Sequence, residues 1–182
     1  EGNLQFASGG GNERMRLDSS GNLLVGTTND LAGVDGSSVQ GAAIRPDASI
    51  LVSRSSDVAL ILNRQTSVGS LAFFRYNGTS VGSISVSATD TAYNTTSDYR
   101  LKEDLQDFKG LDLVSKIPVY DYKWKADESR SYGVMAHELQ EVLPQAVSGD
   151  KDAEEMQGVD YSKIVPLLVK SIQELSAKLE SL

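Results

Sequence analysis

Ser97-Asp98-Tyr99-Arg100-Leu101-Lys102-Glu103 is the stretch that divides the chain, because the composition changes there. All nine lysines lie at or after Lys102, whereas twelve of the sixteen glycines precede Ser97. Sequence rich in glycine and other turn residues is typical of short strands and tight turns. We therefore predict two folding units, residues 1–96 and residues 97–182.

The bulk composition limits the classes of protein that the chain can belong to. With 182 residues and 40% hydrophobic content, it can bury one medium core or two modest ones. A net charge of -8 without a basic patch argues against nucleic-acid binding. There is no cysteine, and we find no signal peptide and no apolar run long enough to span a bilayer. We predict no cofactor, no metal site and no membrane insertion, and we interpret the start at Glu1 as the inside of a longer chain.

Residues 1–96 have the pattern of short strands joined by turns, since Gly, Ser, Thr, Asn and Asp recur every few residues. Tyr76-Asn77-Gly78-Thr79 predicts a hairpin turn, and a turn over Asp18–Asn22 precedes the strand that starts at Leu23. The apolar faces are Leu60–Leu62, Leu71–Phe74 and Ser83–Ser87. A sheet this thin exposes its faces and edges unless identical chains cover them, so we expect a slender homo-oligomeric fibre. An independent β-sandwich is the alternative.

From residue 97 onward the signals are those of mixed α and β structure. Val119–Lys125 alternates strictly and puts Tyr120, Tyr122 and Trp124 on one face of a half-buried strand. Three further segments complete the prediction: a short helix over Leu111–Lys116 that stops at Pro118, a strand or turn that becomes a helix over Gly133–Pro144, and a polar loop over Lys151–Gly158.

The C-terminal residues carry a heptad pattern. Apolar residues alternate at spacings of four and three, as in a coiled coil: Tyr161, Val165, Leu168, Ile172, Leu175, Leu179 and Leu182. Three heptads are marginal for a free coiled coil, so we expect this helix to join identical chains that are already held together. The alternative is a helix that lies on its own domain. Pro166 predicts either a kink or a helix that begins near it.

Ser97 and Lys102 are a candidate nucleophile and base. A serine hydroxyl attacks when a base removes its proton, and a lysine amine can do so only if burial lowers its pKa. Residues five apart fall on opposite faces of a strand, so these side chains meet only across a turn. That turn would bring the Thr96–Ser97 peptide bond within reach of the Ser97 hydroxyl. A solvated turn with an exposed lysine fits the residues as well.

Five stretches occur in an order that resembles a known family: Ser97–Glu103, Tyr122–Lys125, Gly133–Ala136, Val142–Pro144 and Gly158–Leu168. Residues 97–182 resemble the C-terminal intramolecular chaperone and auto-processing domain of phage tail spikes, tail fibres and endosialidases. Gly21–Thr28 and Thr79–Ile84 resemble, more loosely, the fibre segments that precede such domains.

The resemblance implies a fold, a set of partners and a self-cleavage reaction. The implied architecture is an N-terminal all-β trimeric fibre, similar to a triple β-helix or β-prism, followed by an α+β chaperone domain that ends in a trimeric coiled coil. The implied seam residues are Val165, Leu168, Ile172, Leu175 and Leu179. The implied reaction is a single cut between Thr96 and Ser97, with Ser97 as nucleophile and Lys102 as base. His137 stands where the family has a glutamine, and a lone histidine on a helix is more often a packing or surface residue than a catalyst.

These inferences combine into one hypothesis. A homotrimer assembles in the host cytoplasm, its chaperone domain folds the preceding fibre of the same chain, and the domain is released so that the fibre remains in the virion. A host-surface receptor is a candidate partner of residues 1–96. Two alternatives stay open: an uncleaved, receptor-binding fibre tip with a permanent trimerisation domain, and a non-viral protein that uses the same domain.

Overall fold

A computed structural model describes residues 2–30 and 40–181 and divides the chain into two compact units, Glu1–Asp98 and Tyr99–Leu182. The division falls inside the stretch where the composition changes. Among the described residues, the first unit is built from small antiparallel sheets, and the second unit contains the three α-helices and two two-stranded sheets.

The first sheet of the N-terminal unit is a five-stranded antiparallel meander. Its strands, in chain order, are β1 (Leu4–Ser8), β2 (Asn12–Leu17), β3 (Leu23–Val25), β4 (Gly41–Ile44) and β5 (Ile50–Ser53). The β1–β2 connection contains Gly9, Gly10 and Gly11, all with positive φ, a conformation that glycine adopts at little cost. The predicted turn before Leu23 is confirmed, because the Asp18 carboxylate accepts hydrogen bonds from the backbone amides of Ser20 and Asn22 at 2.9 and 2.8 Å.

The second sheet contains three antiparallel strands, β6 (Gly69–Tyr76), β7 (Thr79–Val86) and β8 (Thr91–Thr95). Asn77 and Gly78 have φ values of 46° and 80°, as a tight hairpin turn between β6 and β7 requires, so the predicted hairpin is confirmed. The prediction that Leu60–Leu62 forms an apolar face of a sheet is wrong. These three residues are exposed and belong to no strand, so they form no face of a sheet.

The C-terminal unit matches the predicted order of elements. Its elements are α1 (Gly110–Val114), β9 (Tyr120–Lys123), β10 (Arg130–Gly133), α2 (Ala136–Val142), β11 (Val147–Ser148), β12 (Gly158–Val159) and α3 (Val165–Glu180), with 3₁₀ helices at Tyr99–Leu101, Pro144–Ala146 and Tyr161–Lys163. Helix α2 ends before Pro144, as predicted. The rings of Tyr122 and Trp124 pack edge to face at 5.1 Å, which confirms that they share one face of the strand.

The core of this unit lies between α2 and α3. Its buried residues are Leu139, Leu143, Ala146 and Leu167. Helix α1 joins this core through a close contact at Gly110, where a Cβ atom would stand only 2.6 Å from the backbone nitrogen of Ser171. The glycine therefore sets how closely α1 and α3 approach.

Helix α3 begins at Val165 and carries Pro166 in its first turn. This confirms the prediction that the helix begins near the proline and is not kinked by it. Proline is tolerated there because the first amides of a helix have no partner within it. None of the described helices combines the length and apolar character that crossing a membrane requires. The triple β-helix or β-prism and the trimeric coiled coil are arrangements of several copies, and they stay predictions.

Candidate functional site

Thr96 is held to the second sheet on the N-terminal side of the predicted cleavage point. Its backbone amide donates to the carbonyl of Val81 at 3.1 Å, and its Oγ1 donates to the carbonyl of Ser80 at 3.3 Å. Ser97 follows at the end of this ladder and is exposed. The Thr96–Ser97 bond thus lies at the point where the chain leaves the sheet.

A tight turn lies between Ser97 and Lys102 in the sequence. The 3₁₀ helix Tyr99–Leu101 forms it, and the backbone amide of Lys102 donates to the carbonyl of Tyr99 at 3.1 Å. Lys102 is exposed. Ser97 belongs to the first compact unit and Lys102 to the second, so the roles given to these two residues stay predictions.

The segment from Lys102 to α1 is tied to α3 by an ion pair. Lys170 of α3 donates from Nζ to Oδ1 of Asp107 at 2.6 Å. This hydrogen bond lowers the pKa of Asp107 below its usual value and raises the pKa of Lys170. Residues downstream of Lys102 are therefore anchored to α3.

Glu174 of α3 caps the N-terminus of α1. Its carboxylate oxygens accept hydrogen bonds from the backbone amides of Gly110 and Leu111, each at 2.9 Å. A short helix leaves its first amides unpaired, and this carboxylate supplies partners for two of them. The backbone bonds from Leu111 and Gly110 hold the pKa of Glu174 below its usual value. Sequence reasoning missed this contact, because the partners lie more than sixty residues apart.

Helix α3 has one face packed against its own unit and one face exposed. Leu167 and Ser171 are buried on the packed face. The predicted seam residues have exposed fractions between 43% and 66%: Tyr161, Val165, Leu168, Ile172, Leu175 and Leu179. The helix thus lies on its own domain and still presents an apolar seam, and contact with identical chains through this seam stays a prediction. Leu182, the last seam position, is outside the described residues.

An apolar groove adjoins the start of the seam. It has a volume of about 710 Å³ and is lined in part by Tyr122, Trp124, Val134, Met135 and Tyr161. Tyr161 therefore belongs to both the groove and the seam.

His137, the departure from the family pattern, is half-buried on α2. It borders a shallow hollow of about 270 Å³ together with Gln140, Glu141 and Lys151. This placement agrees with a packing and surface role.

Comparison with known proteins adds to this geometry. Residues 97–148 match the model of a peptidase family described as "Chaperone of endosialidase". Residues 97–148 are therefore similar to this chaperone family. The match begins at Ser97, and it confirms the resemblance drawn from the sequence motifs. Residues 149–182, including α3, lie beyond the matched range.

Curated relatives of the chain come from phage long tail fibres. The long tail fiber protein Gp37 of Escherichia phage AR1 is 34% identical over 87 residues, which cover 43% of this chain and 8% of that protein. The protein of the same name from Enterobacteria phage Ox2 is 34% identical over 95 residues, which cover 47% of this chain and 38% of that protein. The chain thus spans less than two fifths of the length of these relatives. Similarity to the chaperone-of-endosialidase family and similarity to tail fibre proteins therefore occur in one chain.

Proposed function

We propose that the chain is the C-terminal part of a phage tail fibre in which the chaperone-of-endosialidase domain assembles three copies, assists folding of the β-structured part, and then cuts itself off. The observation that carries this proposal is the start of the family match at Ser97, two residues before the second compact unit begins at Tyr99. A cut between Thr96 and Ser97 would separate nearly all of one unit from the other. The domain would act once, in its own chain, as a self-cleaving peptidase.

The proposed chemistry is a shift of an acyl group followed by hydrolysis. Ser97 Oγ attacks the carbonyl carbon of Thr96, and the Lys102 amine takes the hydroxyl proton. The C–N bond then breaks, the Ser97 nitrogen takes up a proton, and an ester joins Thr96 to Ser97 Oγ. Water hydrolyses this ester, which leaves a carboxylate on Thr96 and a free amino terminus on Ser97.

The contacts of Thr96 support this cleavage position. The two hydrogen bonds from Thr96 to β7 hold the acyl side of the bond in the sheet, while Ser97 is exposed and belongs to no strand. The Ser97 hydroxyl belongs to the residue that follows this bond, and attack within one chain has a high effective concentration. The 3₁₀ helix Tyr99–Leu101 lies in the sequence between the nucleophile and the proposed base.

The exposed seam of α3 supports assembly through this helix. An apolar stripe at heptad spacing would bury itself between parallel helices of identical chains. The opposite face of α3 carries Lys170 and Glu174, which hold Asp107, Gly110 and Leu111. Packing the seam would therefore stiffen the helix that anchors the segment leading from Lys102, so that cleavage depends on assembly.

The decisive experiment is intact-mass measurement of the purified chain, together with its Ser97→Ala variant. The wild type should give two fragments, of which the second begins at Ser97, and Ser97→Ala should remain full length. Asp98→Ala is a neighbouring control that leaves the assigned nucleophile in place, and it should yield a second fragment that still begins at Ser97. Normal processing of Ser97→Ala would show that Ser97 is not the nucleophile.

A second candidate function predicts a different result. The long tail fiber relatives suggest a purely structural fibre tip in which α3 stays attached. That protein would keep its full mass and still form a trimer. Native mass measurement of the wild type separates the two functions in one experiment.

A further inference from the structure

The dipeptide Thr-Ser occurs three times in the chain, so residue types alone do not select the bond that follows Thr96. All three copies of the dipeptide lie among the described residues. Thr79 and Ser80 both belong to β7, where Thr79 pairs with Tyr76 and Ser80 pairs with Arg75. The ladder therefore holds both sides of that bond, including the backbone angles that would aim the serine hydroxyl at the preceding carbonyl.

The bond between Thr66 and Ser67 has the opposite property. Both residues belong to no strand, and the Ser67 hydroxyl accepts a hydrogen bond from Nε of Arg64 at 3.1 Å. The bond between Thr96 and Ser97 differs from both, because Thr96 is hydrogen-bonded to β7 whereas Ser97 is exposed and belongs to no strand. Of the three bonds, this one combines an acyl side held by the sheet with a serine outside the ladder.

The side chain of Thr96 makes one of the two contacts that hold this residue. The backbone amide donates to the carbonyl of Val81 at 3.1 Å, as the next bond of the β7–β8 ladder, and Oγ1 donates to the carbonyl of Ser80 at 3.3 Å. One hydrogen bond leaves a residue free to rotate about it, and the second contact restricts that rotation. Valine at this position would keep the amide bond and lose the hydroxyl bond.

Gly82 allows β8 to lie close to β7 immediately before Thr96. It pairs with Thr95, and a Cβ atom at residue 82 would stand only 2.8 Å from the backbone oxygen of Asn94. The obstacle is backbone and not the end of a flexible side chain, so any side chain at residue 82 would push β8 away from β7. Asn94, Thr95 and Thr96 are consecutive, and the displacement would therefore reach the two hydrogen bonds of Thr96.

We propose that the Thr96 hydroxyl positions the scissile carbonyl and thereby determines which Thr–Ser bond is cut, with Gly82 as a second positioning residue. This inference rests on the proposed self-cleavage and deepens it by assigning the source of its specificity. The rate of attack by Ser97 Oγ depends on how often the Thr96 carbonyl carbon lies in its path. Two fixed points on residue 96 raise that fraction before the reaction begins.

Thr96→Val and Thr96→Ser form the matched test, since valine keeps the branched shape of threonine and serine keeps its hydroxyl. Full-length chain would be made by cell-free translation, and its processing would be followed over time by intact-mass measurement. Thr96→Val should be cleaved about threefold to tenfold more slowly than wild type, as loss of one hydrogen bond implies, and Thr96→Ser should recover most of that loss. Thr91→Val, the same change at the far end of β8, should be processed like wild type.

Two further readouts separate positioning from a loss of structure. The pH of half-maximal processing should be equal in wild type and Thr96→Val, because that pH reports the proposed base Lys102, whereas the maximal rate reports the carbonyl. In the Ser97→Ala background, Thr96→Val should leave the melting temperature and the amount of trimer in native-mass measurement unchanged. Trimers of Gly82→Ala should be processed at least as slowly as those of Thr96→Val.

Equal rates for wild type and Thr96→Val, or a Thr96→Ser chain as slow as Thr96→Val, would overturn the role of the hydroxyl and leave the proposed function intact. A Thr96→Val chain that is slow only because it forms fewer trimers would overturn this role as well. Gly82→Ala trimers processed at the wild-type rate would overturn the role of the glycine. A wild-type chain that keeps its full mass would overturn the proposed function, and this inference with it.

Discussion

Thr96 and Glu174 show what single residues contribute to the candidate site. Thr96 is fixed by two hydrogen bonds to the sheet, and Glu174 fixes the start of α1 by two hydrogen bonds from α3. Ser97 and Lys102 could be proposed as nucleophile and base from the sequence alone, because they lie close together at the boundary where the composition changes. Glu174 could not, because nothing in the spacing of residues 110 and 174 indicates that they meet.

Lys102→Arg tests the base at residue scale. An arginine keeps its charge at any accessible pH and cannot accept a proton, although its size and charge suit the same surface position. The variant should trimerise normally and fail to cleave, as intact-mass and native-mass measurement would show. Because only a neutral amine accepts the proton, the wild-type processing rate should rise with pH. An active arginine variant, or a rate that is constant from mildly acidic to alkaline pH, would show that another group activates Ser97.

Glu174→Gln tests the cap of α1 through its pH dependence. The pKa of Glu174 lies below the ordinary value of 4.5 in the folded chain, so its carboxylate stabilises the fold above about pH 4.5. That stabilisation is lost as the pH falls through the lowered folded-state pKa. The variant should be less stable than wild type at neutral pH, and the difference in melting temperature should shrink on acidification.

Glu180→Gln is the matched control for that measurement, since Glu180 is an exposed glutamate near the end of the same helix. It removes the same charge without touching α1. An equal loss of stability in both variants would mean that net charge, and not the cap, explains the effect.

At the scale of elements, the two opposite faces of α3 differ in what they can contact. Its packed face carries Leu167 and Ser171, and its other face carries the exposed seam. A single helix can thus hold the segment downstream of Lys102 and also contact other copies. This arrangement predicts that a substitution in the seam affects processing without touching Ser97 or Lys102.

Ile172→Glu and Gln173→Glu test this coupling as a matched pair. Both residues are exposed neighbours on α3, but only Ile172 belongs to the seam. Ile172→Glu would put three like charges at one level of the trimer, so association and cleavage should both fall at least about tenfold, from the cost of burying unpaired charge. Gln173→Glu should behave as wild type in native-mass and processing assays. Efficient cleavage by a demonstrably monomeric Ile172→Glu chain would refute the coupling.

The sequence predicted some secondary-structure elements correctly and others only in part or wrongly. Asn77-Gly78 and Pro166 are strong local signals, and the hairpin and the start of α3 lie where they indicate. Within the meander β1–β5 the sequence predicts individually only the strand that starts at Leu23. Strands of three to six residues contain too few alternating positions to be assigned one by one. Leu60–Leu62 shows the converse error, since an apolar run alone does not specify a strand.

The whole molecule combines a small core with large exposed apolar surfaces. In the N-terminal unit only Leu24 and Ala43 are buried hydrophobic residues among those described. A unit with so small a core is expected to be marginally stable by itself. Pairing of several chains in the correct register is slow, because distant or separate segments must be brought together. A trimerising domain that acts first and then leaves, as we propose, would resolve this difficulty.

Release of the domain should make folding of the fibre irreversible, which refolding can test. Wild-type chain that has been cleaved, and Ser97→Ala chain that keeps its chaperone domain, would be denatured by heat and returned to room temperature. The Ser97→Ala chain should recover trimer and β-sheet signal, whereas the isolated 1–96 fragment should recover at most about a tenth as much, since its native state is maintained by a kinetic barrier once the assembling domain is gone. Circular dichroism and native-mass measurement would follow recovery. Equal recovery of the cleaved fragment would mean that residues 1–96 need no chaperone, and that the C-terminal unit serves attachment instead of folding.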